Sequence, residues 1–255
     1  MADVTIYGAG IFGLSVAWSC VTRGARVQVI DPYGVAAGSS GGIVGALAPH
    51  TPENWNDKKE FQFQSLIMAE DYWKDISSVA GMPSGYARTG RLQPIADARA
   101  QELAEARREG ARRLWQGKAA WDIKEAAEFD GWCPESPTGL VIKDTLSARI
   151  HPRQACAALA AAVRAKGGEI LNETPDNGPR GSVVWATGWQ GLVQMSQELG
   201  RQVGNGVKGQ AILLECDRAE LPQLFADTLH IIPHSDGTVA IGSTSERDFD
   251  DPTST

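Results

Sequence analysis

The sequence predicts an α/β fold that opens on a parallel β-α-β unit, and three features of its first fifty residues predict it. An apolar run, Val4-Thr5-Ile6-Tyr7, leads into Gly8-Ala9-Gly10-Ile11-Phe12-Gly13. A second apolar run, Val27-Gln28-Val29-Ile30, ends in Asp31. A loop of small residues then runs from Gly38 to Leu47.

Residues 3–8 read as a short buried strand. Ile11 to Arg23 reads as a helix, with Leu14, Ala17, Trp18 and Val21 at helical spacing. Gly24 stands where a helix-ending glycine belongs, and Arg26 to Asp31 is the next strand. Strand, helix and strand close within about thirty residues, the size of a right-handed β-α-β unit. In such a unit Gly8 permits the tight turn, Gly10 bares the backbone to a pyrophosphate, and Gly13 lets helix and strand pack closely. The free N–H groups at the helix start attract an anion. Asp31, 21 residues after Gly10, is placed to accept hydrogen bonds from ribose hydroxyls. The acid also repels the extra phosphate of NADP. Dinucleotide binding is the expectation; a glycine-rich turn beside an exposed Asp is the alternative. In the Gly38–Leu47 loop, Ser39 and Ser40 can donate to phosphate and the bare backbone can lie against a flat ligand. A flexible Gly/Ser linker is the other reading.

The bulk properties narrow the class. The 255 residues suffice for one large domain or two small ones. A hydrophobic share of 42% against 22% charged is that of an ordinary globular protein. The net charge of −7 argues against a nucleic-acid or anionic-membrane partner. Cys20, Cys133, Cys156 and Cys216 are scattered with no C-x-x-C pair, which predicts free thiols rather than disulfides or a metal site. No signal peptide and no membrane-spanning apolar segment is read, so a cytoplasmic location is expected.

Val4–Gly13, Asp31 and the run Ser39-Ser40-Gly41-Gly42-Ile43-Val44-Gly45-Ala46-Leu47-Ala48-Pro49-His50 resemble the N-terminus of the D-amino-acid oxidase family of flavoproteins, which includes glycine oxidase and sarcosine oxidase. The loop is most similar to the glycine-oxidase kind. The resemblance implies that the serine pair binds the FAD diphosphate and that the later Gly-x-Leu backbone lies along the isoalloxazine ring. Some relatives attach FAD through a histidine just after the pair. Gly41-Gly42 stands there in this chain, which implies non-covalent FAD.

Farther along, Asn54 to Val79 reads as a helix with Phe61, Met68, Tyr72 and Ile76 on its apolar face, and Phe63 and Trp73 as core residues. Gly85 to Ile95 resembles the family's first substrate-domain strands; Arg91 is read as a solvated strand-edge residue, or else a carboxylate holder. Ala96 to Lys118 is a charged helix with Glu105/Arg108 and Glu109/Arg113 pairs. Trp121 to Phe129 reads as a short helix, Gly139 to Ile142 as a strand, and His151-Pro152 as the start of a helix that Gly167-Gly168 ends. Glu169 to Leu171 is another strand. Asn172 to Gly181 replaces the family's three-stranded excursion, and no adenine contact is assigned there. Val183 to Gly188 matches the family's second approach to the pyrophosphate, through Ala186, Thr187 and Gly188. Val207 to Glu215 resembles the strand re-entering the substrate domain. Thr228–His234 and Thr238–Thr244 flank the turn Ser235-Asp236-Gly237 as a hairpin. His230 stands where the family commonly has tyrosine: either it faces substrate or it is half in solvent.

The expected architecture is a Rossmann-like FAD domain of the glutathione-reductase type, residues 1–80 plus 149–206, interleaved with an antiparallel-sheet substrate domain, residues 81–148 plus 207–255. The candidate cofactor residues are Gly8, Ala9, Gly10, Ile11, Phe12, Gly13, Asp31, Pro32, Ser39, Ser40, Gly41, Gly45, Ala46, Leu47, Ala186, Thr187 and Gly188. His50 and His230 are the candidate polar groups near the ring, and no metal site is found. The resemblance implies a flavin-dependent oxidoreductase acting on the C–N bond of a small amine or amino acid. Hydride passes to flavin N5, the imine hydrolyses, and oxygen or a redox partner takes the electrons. The family's Gly-x-Arg-Pro carboxylate motif and its later glycine-rich strand are not found before Thr255. That leaves a fragment, a chain needing a second subunit, or a non-catalytic flavin-binding subunit as readings, and homo-oligomerisation open. An NAD-dependent dehydrogenase explains Gly8–Asp31 but not the Ser39–Leu47 loop.

Overall fold

The computed structural model describes residues 2–176 and 178–252. The opening unit is β1 (Val4–Tyr7), α1 (Ile11–Val21) and β2 (Val27–Ile30). There follow β3 (Ala46–Leu47), α2 (Asp57–Ala80), β4 (Arg91–Pro94), α3 (Ala98–Leu114), β5 (Trp121–Glu125), β6 (Leu140–Asp144) and β7 (Ala148–Arg149). The rest is α4 (Pro152–Ala165), β8 (Glu169–Leu171), β9 (Ser182–Trp185), α5 (Gly188–Leu199), β10 (Ala211–Glu215), β11 (Gln223–Ala226), β12 (Leu229–Pro233) and β13 (Thr238–Gly242).

Two main sheets result. The first is parallel, ordered β8-β2-β1-β9, with Val4 to Tyr7 in register against both Val27 to Ile30 and Ser182 to Trp185. The second is a seven-stranded sheet, β10-β13-β12-β11-β4-β6-β5, antiparallel except where β11 meets β4. A short antiparallel pair, β3 with β7, joins the small-residue loop to the strand that leads into α4. This is the α/β class expected from the sequence.

Burial explains the layering. Ile6, Val27 and Val29 on the parallel sheet pack with Leu14, Ala17 and Trp18 of α1 and with Leu159, Ala162 and Val163 of α4. A second core joins Phe63 and Leu66 of α2 to Ala104 and Ala111 of α3, Trp115, Trp121 and Ile142. The second half of α2, through Trp73 and Ile76, belongs to the first core, so one 24-residue helix ties the two sheets together. Asn56 caps it by accepting a hydrogen bond from the Lys59 N–H at 3.1 Å, and Gly81 ends it in the left-handed conformation.

Several local expectations are corrected. The buried stripe of α2 is Phe63, Leu66, Ala69, Trp73 and Ile76, whereas Phe61 and Met68 point to solvent. Phe63 and Trp73 are core residues, as expected. Trp121 to Glu125 is a strand, not a helix: the run is only five residues long and pairs edge-on with β6. On α3 the Glu105–Arg108 pair forms, but Glu109 pairs with Arg112 rather than Arg113. The four cysteines are free thiols. Among the described residues no helix is long and apolar enough to cross a membrane.

The largest correction concerns Arg91. Its strand is interior, between β11 and β6, and its guanidinium is buried against Asp144, Nε to Oδ2 3.1 Å. Asp144 also accepts from the Ser147 N–H at 2.7 Å and the Ser147 hydroxyl at 2.9 Å. A buried pair of this kind punishes loss of one partner far more than loss of both. Asp144→Ala is expected to destabilise the protein by about 3–5 kcal/mol, while Asp144→Ala combined with Arg91→Met recovers part of that loss. Urea midpoints of the three proteins check this.

Candidate functional site

The carboxyl ends of β1, β2 and β9 lie side by side because the strands are parallel and in register, and in such sheets the ligand crevice opens there. The turn after β1 is held in three directions. Gly8 has φ of 107°, and a Cβ on it would stand 2.2 Å from the Ala186 carbonyl oxygen. Ala186 itself continues the ladder, its N–H donating to the Tyr7 carbonyl at 2.8 Å. A Cβ on Gly13 would fall 1.9 Å from the Gly8 carbonyl oxygen, which is the close helix–strand approach that the spacing predicts.

Two side chains from distant segments close on this turn. Asp31 Oδ2 accepts from the Ala9 N–H at 2.8 Å, and its Oδ1 accepts from the Tyr33 N–H at 3.0 Å. Each carboxylate oxygen keeps a second lone pair. Ser39 to Gly41 form a single 3-10 turn that brings the Ser40 hydroxyl to the start of α1, where it accepts from the Ile11 N–H at 3.0 Å. Gly10 has no side chain to offer as a cap, so a residue 29 positions away supplies it. The N–H groups of Phe12 and Gly13 precede the first helical bond, which Leu14 N–H makes to the Gly10 carbonyl at 3.0 Å. Phe12 and Pro32 are exposed beside this crevice, as are Thr187 and Gly188, which open α5 on the other side of Ala186.

The remaining loop residues sit elsewhere along the same face. Gly45 is buried against Ile150, whose N–H donates to the Gly45 carbonyl at 2.9 Å, and Ala46 and Leu47 pair with Arg149 and Ala148. His50 is half-buried and bound to Gln62 of α2, which accepts both its N–H, at 2.6 Å, and its Nδ1 hydrogen. His230 lies on β12 opposite Phe225, ring centroids 4.6 Å apart, with a buried Nδ1 that has no partner. Burial first, and the Arg91 charge second, hold its imidazole below the ordinary histidine range, which favours its neutral form. The structure thus brings Gly8, Ala9, Ile11, Asp31, Ser40 and Ala186 into one cluster and leaves the two histidines apart from it.

Residues that sequence reasoning missed support the Ser40 loop. Arg153, in the first turn of α4, donates from Nε to the Gly41 carbonyl at 2.6 Å. Burial pushes the Cys156 thiol up to about 11, against a hydrogen bond with Ser40 that opposes the shift. Only the position of α4 brings these side chains to the loop, and no local pattern marks them.

A model of the FAD dependent oxidoreductase family matches residues 3–255. The chain belongs to this family. A putative thiamine biosynthesis oxidoreductase ThiO of Rhizobium etli is 27% identical over 94% of this chain and 70% of its own length. Among solved structures, glycine oxidase from Geobacillus kaustophilus superposes with a TM-score of 0.77 at 18% identity, covering 98% of this chain and 73% of its own. Iminodiacetate oxidase from Chelativorans sp. BNC1 gives 0.77 at 20% identity, with 99% and 74% covered. At these identities the structures show the shared fold, the paired parallel and mixed sheets described above.

Removing the Ser40 cap by Ser40→Ala is expected to cost about 0.5–2 kcal/mol. Gly8→Ala meets both a forbidden φ and the Ala186 carbonyl, and should cost more than Ser40→Ala or fail to fold. Thermal and chemical unfolding of the apoproteins measures both.

Proposed function

We propose that this chain binds FAD non-covalently and serves oxidation of the C–N bond of a small amine or amino acid. The observation that carries the reading is the Ser40 hydroxyl seated on the first N–H of α1 beside the Asp31 carboxylate. It joins the Ser39–Leu47 loop to a glycine turn that alone would suit any adenine dinucleotide.

The fit to the cofactor follows from donors and space. The Phe12 and Gly13 N–H groups at the positive end of α1 would take the pyrophosphate, with the Ser40 hydroxyl, which accepts from Ile11 and contacts Cys156, fixing the loop beside them. Gly10 leaves the backbone bare there: a Cβ would already stand 3.0 Å from Ser40 Oγ. Asp31 would accept from the ribose hydroxyls on its remaining lone pairs. Ala186, Thr187 and Gly188 would line the other wall, and Gly45 to Leu47 would lie along the ring system. Residues 1–80 plus 149–206 form the cofactor part of this reading, and residues 81–148 plus 207–255 the substrate part.

When bound, FAD supplies the two-electron acceptor for the substrate Cα hydrogen, and the resulting imine hydrolyses to a carbonyl compound and an amine or ammonia. The protein's share is orientation and exclusion of water. His230, half-buried on β12 with its Nδ1 shielded beside Phe225, is not assigned a substrate contact; His50, held by Gln62, would stay fixed at the loop's far end. The Arg91 charge is committed to Asp144 and is not assigned to a substrate carboxylate. The relatives named for glycine and iminodiacetate support a small, glycine-like amine as substrate class.

The purified protein should be yellow or take up added FAD with quenching of flavin fluorescence. Anaerobic addition of small amines and amino acids should bleach the visible flavin band. Asp31→Ala should weaken FAD binding by about tenfold or more, in line with loss of a charge-assisted hydrogen bond of about 1.5–3 kcal/mol. A colourless protein with no FAD uptake overturns the reading.

A further inference from the structure

We propose that His234 is a positioning residue for the Ser39–Leu47 loop, and that with His151 and Asp236 it forms a latch between the β12–β13 hairpin and that loop that loosens on acidification. That the loop faces a flavin rests on the function proposed above; the latch itself is geometry of this chain.

His234 immediately follows β12 and is fully buried. Its Nε2 lies 2.9 Å from the Ile43 carbonyl oxygen. A carbonyl only accepts, so the ring proton is on Nε2, and Nδ1 is left as a buried acceptor without a partner. Two residues on, the Gly45 carbonyl accepts from the Ile150 N–H. A Cβ on Gly45 would stand 1.7 Å from the Ile150 carbonyl oxygen, so the loop backbone rests directly on the chain entering α4. The segment between Ile43 and Gly45 is therefore pinned at both ends, once by the hairpin and once by the strand end before α4.

His151 is the other half. It caps α4, its Nδ1 accepting from the Gln154 N–H at 3.4 Å, so its proton is on Nε2, which points at Asp236 Oδ2 3.5 Å away. The two imidazoles are stacked at an angle, centroids 4.6 Å apart. Gln154 Nε2 donates to the same Asp236 oxygen at 3.1 Å, tying the hairpin turn to α4 a second time.

Neither ring has a good place for a second proton. On His234 it would fall on the unpartnered Nδ1, beside the buried Arg149, whose Nη1 donates to the Pro233 carbonyl at 2.6 Å. On His151 it would break the cap bond and put a cation at the positive end of α4, near Arg153. Asp236 is the carboxylate facing the pair and favours the proton; Glu220 acts on Arg149 from farther off. Burial dominates, and both imidazoles are held below the ordinary histidine range. The closed loop thus binds fewer protons than the opened one. Its stability is full above the ordinary histidine range, near pH 6.5, and is lost as pH falls through the depressed values.

Hydrogen–deuterium exchange of the full chain, corrected for intrinsic rate, tests this without cofactor. His234→Leu should speed exchange of the Gly42–Gly45 amides about tenfold, and His234→Gln, whose amide can still donate to Ile43, should stay within about threefold of wild type. Wild-type exchange in this segment should rise between pH 8 and pH 5.5, while His234→Gln, which keeps only the His151 titration, should rise clearly less. With FAD added, His234→Leu should bind about tenfold more weakly and shift the visible flavin spectrum. Equal exchange in all three proteins, or the same pH dependence in wild type and His234→Gln, overturns the latch. A latch that behaves as expected in a chain that takes up no FAD overturns the proposed function instead.

Discussion

At the carboxyl ends of β1 and β9 the main chain of Ala186 approaches Gly8 so closely that no other residue can stand there, since a Cβ would lie 2.2 Å from its carbonyl oxygen. This contact decides how the parallel sheet closes. It sets β9 in register beside β1, so α1 and α5 begin at the same edge and their N-termini share one crevice. The same turn points the Ala9 N–H at Asp31 and leaves the start of α1 uncapped by its own residues. The missing cap is what the Ser40 hydroxyl answers. Backbone crowding at one glycine thus organises a site whose side chains come from three separate segments.

The second level of organisation is α4. It packs on α1 and α2 in the first core and carries no residue of the glycine turn, yet two of its side chains and its cap residue hold the loops around the candidate site. Arg153 holds Gly41, Cys156 lies against Ser40, and His151 at its cap meets His234 and Asp236 of the hairpin. The helix stands between the Ser39–Leu47 loop and the hairpin of the mixed sheet. Its length and its Pro152 start are ordinary; its placement after β7, which pairs with β3, gives it this role.

How much of this was legible in the sequence follows from the range of each interaction. The β1–α1–β2 unit was readable because strand, glycine turn and acid lie within about thirty residues and each has a local cause. The hairpin was readable from Ser235-Asp236-Gly237 for the same reason. The α2 stripe was misplaced because Phe61 and Phe63 differ only in which way the helix turns toward a sheet that local periodicity does not see. Trp121–Glu125 alternates like a strand, with Trp121 buried and Asp122 less so, but the aromatic and charged residues around it suit a helix equally well. Arg91 was read as solvated because an arginine on a strand edge usually is; its strand is interior, and its partner Asp144 arrives 53 residues later on the adjacent strand. For the candidate site, Gly8, Asp31 and Ser40 were found by spacing and resemblance. Arg153, Cys156 and His234 were not, because each acts on a loop carbonyl or hydroxyl that only the folded chain brings near.

Two histidines show why residue type alone misleads here. His230 and His234 lie on the same strand or just past it, four positions apart, and both have a buried, unpartnered Nδ1. Their neighbours separate their roles. His230 is half-buried and sees the Phe225 ring and the Arg91 charge within the mixed sheet. His234 is sealed between His151, Arg149 and the Ile43 carbonyl, where only a proton could arrive, and a proton there is repelled. The first residue is only half-buried and the second is buried completely. The strand that carries His230 thus ends, just before the hairpin turn, in the residue whose imidazole reaches the Ile43 carbonyl of the small-residue loop.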